Sequence, residues 1–317
     1  MSSRRPRVSI SQISTFAASF ADDVGAYSAA GLDGIGIWEL KLGDGPDDEA
    51  LELLARSGLD RASAVPAVPS ILPLPLLGGP DDPRERIDAI LASLHRLAAF
   101  APPAIVCLTG TGLGRDPDEA RRIVVDSLRE IAAEAGRLGL RIALEPYQRD
   151  GGDEWTIVST IPEALALIHE AGDPPALQLQ FDIWHLWNTE TLFDDIAVHV
   201  DRFAGVHVCD MRRPTRGWAD RGVPGTGAAE VPHILHALEE AGYEGLYDVE
   251  IFSDDGTLGA SYEDSLWRLP AAEAATLLRT AFEDCWRARN AAGTITLPPS
   301  PPSPPSARES RRLTVKE

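Results

Sequence analysis

The first apolar run of the chain is Val8-Ser9-Ile10-Ser11-Gln12-Ile13, and it is left through Ser14-Thr15-Phe16. A doubly wound, dinucleotide-binding sheet requires Gly-x-Gly-x-x-Gly at this turn, because the backbone must approach a pyrophosphate closely there. Residues 11–16 contain no glycine. Working outward, runs rich in Val, Ile and Leu alternate with stretches of helical period over almost the whole chain. Strands are expected at residues 8–13, 34–40, 62–68, 104–109, 141–146, 177–183, 204–209 and 246–252. Helices are expected at stretches such as 22–30, 48–57, 83–99, 117–138, 161–171 and 231–241. Asp116-Pro117 reads as an N-cap and first turn, and Gly139 and Gly242 stand where helices should end. The strands are nearly continuous apolar runs, as parallel strands covered on both faces require. Eight strand-helix units in one chain predict an α/β fold, a (β/α)8 TIM barrel, whose functional residues sit at the C-terminal ends of the strands.

Composition narrows the function. The 317 residues carry 49 acidic and 29 basic side chains, a formal charge of -20 that opposes binding to nucleic acid or anionic lipid. Lys41 and Lys316 are the only lysines, so amine catalysis would fall on Lys41 and is not expected. Cys107, Cys209 and Cys285 are too scattered for a disulfide framework or a metal knuckle, which fits a reducing compartment. Residues 62–77, the most apolar stretch, are interrupted by four prolines and predict no membrane helix. No secretion signal is apparent at the start, and a cytoplasmic protein is expected. Residues 297–306 are almost entirely proline and serine, and residues 307–317 are charged. The expected organisation is therefore a disordered start at 1–6, a barrel at 7–290 and a disordered proline-rich tail at 291–317.

Four successive late strands end in ionisable groups. The fifth ends Ile142-Ala143-Leu144-Glu145-Pro146, and the sixth ends Phe181-Asp182-Ile183-Trp184-His185. The seventh contains Val206-His207-Val208-Cys209-Asp210, and the eighth Val249-Glu250-Ile251-Phe252. Taken singly, a strand histidine is usually a satisfied core residue and a strand glutamate usually faces water. On a barrel all four groups come to one apolar rim, where three carboxylates and an imidazole are tolerable only around a cation. Three oxygen ligands and one nitrogen point to Mn²⁺, with Mg²⁺ or Co²⁺ as substitutes, over a structural zinc.

These residues, in this strand order, resemble the xylose isomerase-like barrels, the sugar isomerases and epimerases related to ketose 3-epimerases. The elements that carry the resemblance are Ala143-Leu144-Glu145-Pro146, Asp182-x-x-His185, His207-Val-x-Asp210 followed by Arg213, and Val249-Glu250-Ile251. Pro224-Gly225-Thr226-Gly227 is similar to the family's glycine turn after the seventh strand. The resemblance implies that Glu145, Asp182, His207 and Glu250 bind the metal, while His185 and Arg213 contact substrate oxygens. An ion held by such open ligands chelates neighbouring hydroxyl and carbonyl oxygens and stabilises an enediolate. Glu145 and Glu250 are then the pair that removes and returns a carbon-bound proton.

Other residues enter with smaller roles. Trp38, Trp155, Trp184 and Trp187 stand near predicted strand ends, where they stack on a substrate or pack the rim; Trp184 is the one expected to touch substrate. Glu39, after the second strand, is expected as a further substrate contact, and Asp210 as a group orienting Arg213 or a ligand. The arginine-rich stretch at residues 211–221 reads either as a lid for an anionic or heavily hydroxylated substrate or as a solvated loop. The expected partner is a small carbohydrate; a homo-oligomer and an accessory-subunit role both stay open. The leading expectation is a sugar isomerase or epimerase. A lyase using the same enediolate, an inosose-type dehydratase or a deglycosidase of a 3-keto C-glycoside, is the first alternative, and a non-catalytic binding subunit the second.

Overall fold

The structure is a computed structural model that describes residues 5–148 and 155–291. Eight strands form a closed, wholly parallel barrel in sequence order. They are β1 (Arg7–Ser11), β2 (Gly34–Trp38), β3 (Asp60–Val65), β4 (Ile105–Cys107), β5 (Ile142–Leu144), β6 (Leu177–Asp182), β7 (Phe203–Val208) and β8 (Leu246–Val249). Each falls on an expected run but several stop sooner at the C-terminal end. Glu145 and Glu250 are thus the first residues beyond β5 and β8, at the mouth where the chain leaves the ladder. Residues beyond 291, and with them the expected tail, lie outside the described residues, as do residues 1–4.

The helices are α1 (Phe20–Ala29), α2 (Asp48–Ser57), α3 (Pro83–Leu97), α4 (Pro117–Arg137), α5 (Ile161–Glu170), α6 (Ile183–Leu186), α7 (Leu192–His199), α8 (Val231–Glu240) and α9 (Ala271–Ala288). Their starts are written in the sequence. Ser19 and Asp22 form a reciprocal capping box for α1, and Asp82, Asp116 and Thr160 cap α3, α4 and α5, each followed by an early proline. The last helix, α9, packs on α1 and α8 and so closes the helical ring. No helix among the described residues is long and apolar enough to cross a membrane.

One large apolar core fills the space between strands and helices, with Ile10, Ile35, Ile105, Leu144, Phe181 and Val249 among its buried members. A smaller apolar cluster, including Trp38, Val65, Leu108, Tyr147, Phe252 and Trp267, sits at the strands' C-terminal ends. Inside the barrel the alternation of the strands turns a different set inward. Register places Asp182 beside His207 and His207 beside Asp248. Gly36 and Gly205 leave the room: a Cβ on Gly36 would collide with Asp248 Oδ2, and one on Gly205 with Gln180 Oε1. Gly205 thus makes room for Gln180 on the adjacent β6, whereas Gly36 makes room across β1 for Asp248 of β8.

Candidate metal centre and active site

Glu145, Asp182, His207 and Glu250 stand together at the C-terminal mouth, all at least nine-tenths buried. His207 Nδ1 is the point they share: Glu250 Oε2 lies 3.3 Å from it, Glu145 Oε1 3.6 Å and Asp182 Oδ2 3.9 Å. Ligand atoms of Glu145, Asp182 and His207 all lie within 4.8 Å of one another, and they are the one such group among the described residues. The separation from Glu145 Oε1 to His207 Nδ1 is too long for a hydrogen bond, and neither atom has a hydrogen-bond partner among the described residues. Two buried ligand atoms left unsatisfied and aimed at one point are costly unless something occupies that point. An oxygen-oxygen-nitrogen set of this kind fits a dication.

Each side chain of the cluster is positioned from behind. Asp182 caps the short α6 through Oδ1, which accepts from the Trp184 amide at 2.7 Å, so that Oδ2 faces the cluster. Glu145 continues β5 with its amide donated to the Cys107 carbonyl at 3.0 Å. His207 Nε2 meets Ser63 Oγ at 3.0 Å, with Asp248 Oδ2 at 3.9 Å, so Nδ1 is turned toward the carboxylates. Glu250 Oε1 accepts from Ser11 Oγ at 3.4 Å.

The environments split the two glutamates. Burial, reinforced by Asp182 and Glu250, pushes the Glu145 carboxyl up to about 7. Glu250 is equally buried, but His207 and Arg221 overcome that penalty and hold it at about 2. Burial raises Asp182 as well, although Arg221 counteracts it. For His207 burial works downward, and Glu250 and Glu145 outweigh it, leaving the imidazole well above its ordinary range.

Arg221 is the residue that sequence reasoning missed. Its guanidinium is 3 % exposed, and Nη1 donates to Asp182 Oδ2 at 2.9 Å and Glu250 Oε2 at 3.1 Å. It lies between the rings of Trp184 and Phe252, 4.9 and 4.6 Å from their centroids. Arg213, the expected substrate contact, is instead exposed and rests over the Trp187 ring at 4.6 Å. The reason is the path of the chain. Asp210 and Gly222 pair as an antiparallel bridge, with amide-to-carbonyl distances of 2.8 and 2.7 Å, so residues 211–221 leave the barrel and return to it at Arg221. Arg221 is then fixed on the rim by its amide, which donates to the Phe252 carbonyl at 2.9 Å. The signal available in the sequence was that arginine-rich stretch, of which Arg221 is the last residue.

The remaining expected residues divide in the same way. His185 is buried, and its Nδ1 accepts from the Gln148 amide at 3.2 Å, which leaves the ring proton on Nε2, facing Asp182 and Arg221. Burial and the Arg221 charge hold its pKa well below the usual value, so it is neutral. Trp184 is buried beside it. Glu39 turns away from the mouth: Oε2 accepts from the Ala67 amide at 2.8 Å and Ser93 Oγ at 2.6 Å, tying β2 to α3. Asp210 does not orient Arg213. Its carboxylate accepts amides of Met211, Gly225, Gly227 and Ala229 at 2.8 to 3.0 Å and so folds the Pro224–Gly227 turn.

Above the charged cluster lies a tight chamber whose free volume is only about 10 Å³, room for about one water. His185 and Arg221 form its floor, and Tyr147, Trp155, Trp184, Trp218, Phe252 and the Leu76-Leu77 pair wall it. Tyr147 stacks on His185 at 3.6 Å between centroids, and Trp155 on Trp184 at 6.5 Å. A larger groove of about 740 Å³ runs along the outside of α9, but it is shallow and lacks any convergence of ligand atoms. The chamber, with its polar floor, is the candidate site.

A closed parallel barrel with acidic and imidazole groups at its mouth defines a class, and the sequence comparison places the chain within it. Residues 24–280 match the model of the xylose isomerase-like TIM barrels, and the chain belongs to that family. It is 27 % identical to a putative hydroxypyruvate isomerase of Streptomyces coelicolor over 251 residues, 75 % of this chain and 87 % of that one. Among solved structures it is similar to D-psicose 3-epimerase of Clostridium cellulolyticum H10, with 19 % identity, a TM-score of 0.69, and 87 % and 98 % of the two chains covered. It is similar also to the IolI protein solved with a bound zinc atom, with 20 % identity, a TM-score of 0.71, and 88 % and 97 % covered.

Proposed function

We propose that the protein is a divalent-metal-dependent isomerase or epimerase of a small hydroxy-carbonyl carbohydrate, working by proton abstraction next to the carbonyl through an enediolate. The observation that carries this reading is the pair of unsatisfied ligand atoms, Glu145 Oε1 and His207 Nδ1, buried with Asp182 and Glu250 under an aromatic chamber. Glu145, Asp182, His207 and Glu250 would hold the ion, for which manganese is our first choice. When bound, the ion polarises the substrate carbonyl and so acidifies the adjacent C–H.

The chain's own groups do the rest. Glu145 and Glu250 reach His207 Nδ1 from β5 and β8, three strands apart around the mouth, and so flank a substrate carbon held between them. One takes the proton and the other returns it, on the opposite face to invert the centre or at the neighbouring carbon to move the carbonyl. Neutral His185, with its proton on Nε2, donates to a substrate oxygen, and Trp184 packs on the carbon skeleton. The aromatic walls exclude water from the charged floor, which strengthens each of these interactions. Support also comes from the relatives, which include a putative hydroxypyruvate isomerase and a ketose 3-epimerase.

The test combines metal analysis of the purified protein with a solvent-deuterium exchange screen over small hydroxy-ketones, ketoses and their phosphates. One dication per chain is expected, and Glu145→Gln and Glu250→Gln should each lower exchange by roughly a hundredfold or more while leaving the fold unchanged. Exchange at the wild-type rate in both variants removes the glutamates from that role.

A further inference from the structure

The oxygens that face the shared imidazole nitrogen are the ones the guanidinium holds. Asp182 Oδ2 and Glu250 Oε2, the atoms at 3.9 and 3.3 Å from His207 Nδ1, both accept from Arg221 Nη1. The compact ligand group contains Glu145, Asp182 and His207, and Glu250 stands outside it, engaged by Arg221 on one oxygen and Ser11 on the other. The guanidinium itself is not saturated: Nε has no hydrogen-bond partner, and Nη2 meets only His185 Nε2, at 3.5 Å. It is held in place by the aromatic faces and the two carboxylates.

From this arrangement, and resting on the metal-dependent reading above, we propose that Arg221 is a positioning residue that competes with the dication for Asp182 and Glu250. With no ion bound it serves as the cation of the cluster and holds Glu250 beside His207 but outside the compact group that His207 forms with Glu145 and Asp182. Binding of the ion would draw the two carboxylates toward it and release Nη1 of the guanidinium, which already lies on the floor of the chamber, for substrate. One consequence follows from charge alone. A fixed positive group next to a dication lowers the affinity for that ion, because like charges in a buried setting are weakly screened.

The experiment titrates Mn²⁺ into the full-length protein by calorimetry, for wild type, Arg221→Gln and Arg221→Lys, with folding checked by thermal melting. Arg221→Gln is expected to bind the ion roughly tenfold more tightly or better. Arg221→Lys, which keeps the charge, should return the affinity close to that of wild type. In a Glu250→Gln background the gain from Arg221→Gln should shrink, because the contested carboxylate is gone. A role in mere packing would move none of these in that pattern. A second readout uses wild type alone: the guanidinium proton resonances of Arg221 should shift when Zn²⁺ saturates the site, and this decides the matter if Arg221→Gln does not fold. Affinity that is unchanged or weaker in Arg221→Gln, or resonances that do not respond to Zn²⁺, overturns the competition. Wild-type protein that takes up no dication sinks the metal reading as well, whereas tight uptake with unchanged affinity in Arg221→Gln sinks the competition alone.

Discussion

At the residue scale, the acidic cluster depends on how a single imidazole is oriented. His207 presents Nδ1 to the carboxylates only because Nε2 is engaged by Ser63 Oγ, with Asp248 behind. Outer partners of this kind fix the tautomer and the ring plane of a ligating histidine. Ser63→Ala is therefore expected to weaken dication binding by about 10- to 100-fold while changing the melting temperature little, and metal titration checks it. Ser63→Thr, which keeps the hydroxyl, should restore most of the loss. Glu145, Asp182, His207 and Glu250 were legible in the sequence because each is an ionisable group at the end of an apolar run, where no local partner can neutralise it. Arg221 was not legible as an individual. Nothing in residues 211–221 says which arginine turns back into the barrel, since that depends on the Asp210–Gly222 bridge and on Phe252, 31 residues further on.

At the element scale, the helices begin where short-range chemistry says they should. Asp116 accepts the amides of Asp118 and Glu119 at 3.1 Å and so satisfies two of the four free donors at the start of α4. Asp116→Ala should lower stability by about 1 kcal/mol in chemical denaturation and leave metal affinity untouched, since α4 contributes no ligand. Strand ends were less legible, because a ladder stops where its neighbour stops. The run 246–252 looks uniform in sequence, yet β8 ends at Val249. The glycines of the strands are the converse case. Gly36 lies in β2 without a positive φ, and the Asp248 carboxylate together with the Ser11 backbone leaves no room for a side chain there. Gly36→Ala is expected to cost about 1 to 3 kcal/mol by overpacking, measured by urea denaturation, with Asp248→Ala relieving only part of it because the Ser11 backbone still crowds the methyl group.

At the scale of the whole molecule, buried carboxyls set the response to pH. Burial pushes Asp23 up to about 6, against the partly compensating Lys41, and pushes Glu145 and Asp248 to about 7. In the folded, metal-free chain these groups keep protons that the unfolded chain, with ordinary values of 3.8 for Asp and 4.5 for Glu, has already released. Their contribution to stability is complete below about pH 4 and is lost as pH rises through 6 to 7. His207, raised by its acidic neighbours, acts in the same direction above its ordinary 6.5. Glu250, held at about 2, acts oppositely, but its gain is already complete near pH 5. The urea midpoint of metal-stripped protein should therefore fall between pH 5 and 8. A saturating dication, which binds deprotonated ligands, should flatten or reverse that slope. A metal-stripped midpoint that climbs steadily over this range would contradict the assignment.

Within the described residues, the amino-acid order alone determined the barrel, its eight strands and the acidic and imidazole groups at its mouth. These follow from local quantities: apolar period, capping residues, and charges that no neighbour in sequence can balance. Only the tertiary structure decided which arginine enters the cluster, that Glu39 and Asp210 serve the scaffold, and that glycines on β2 and β7 make room for Asp248 and Gln180. Those outcomes depend on contacts between residues far apart in the chain, where backbone path and excluded volume select among side chains that the sequence presents as equals.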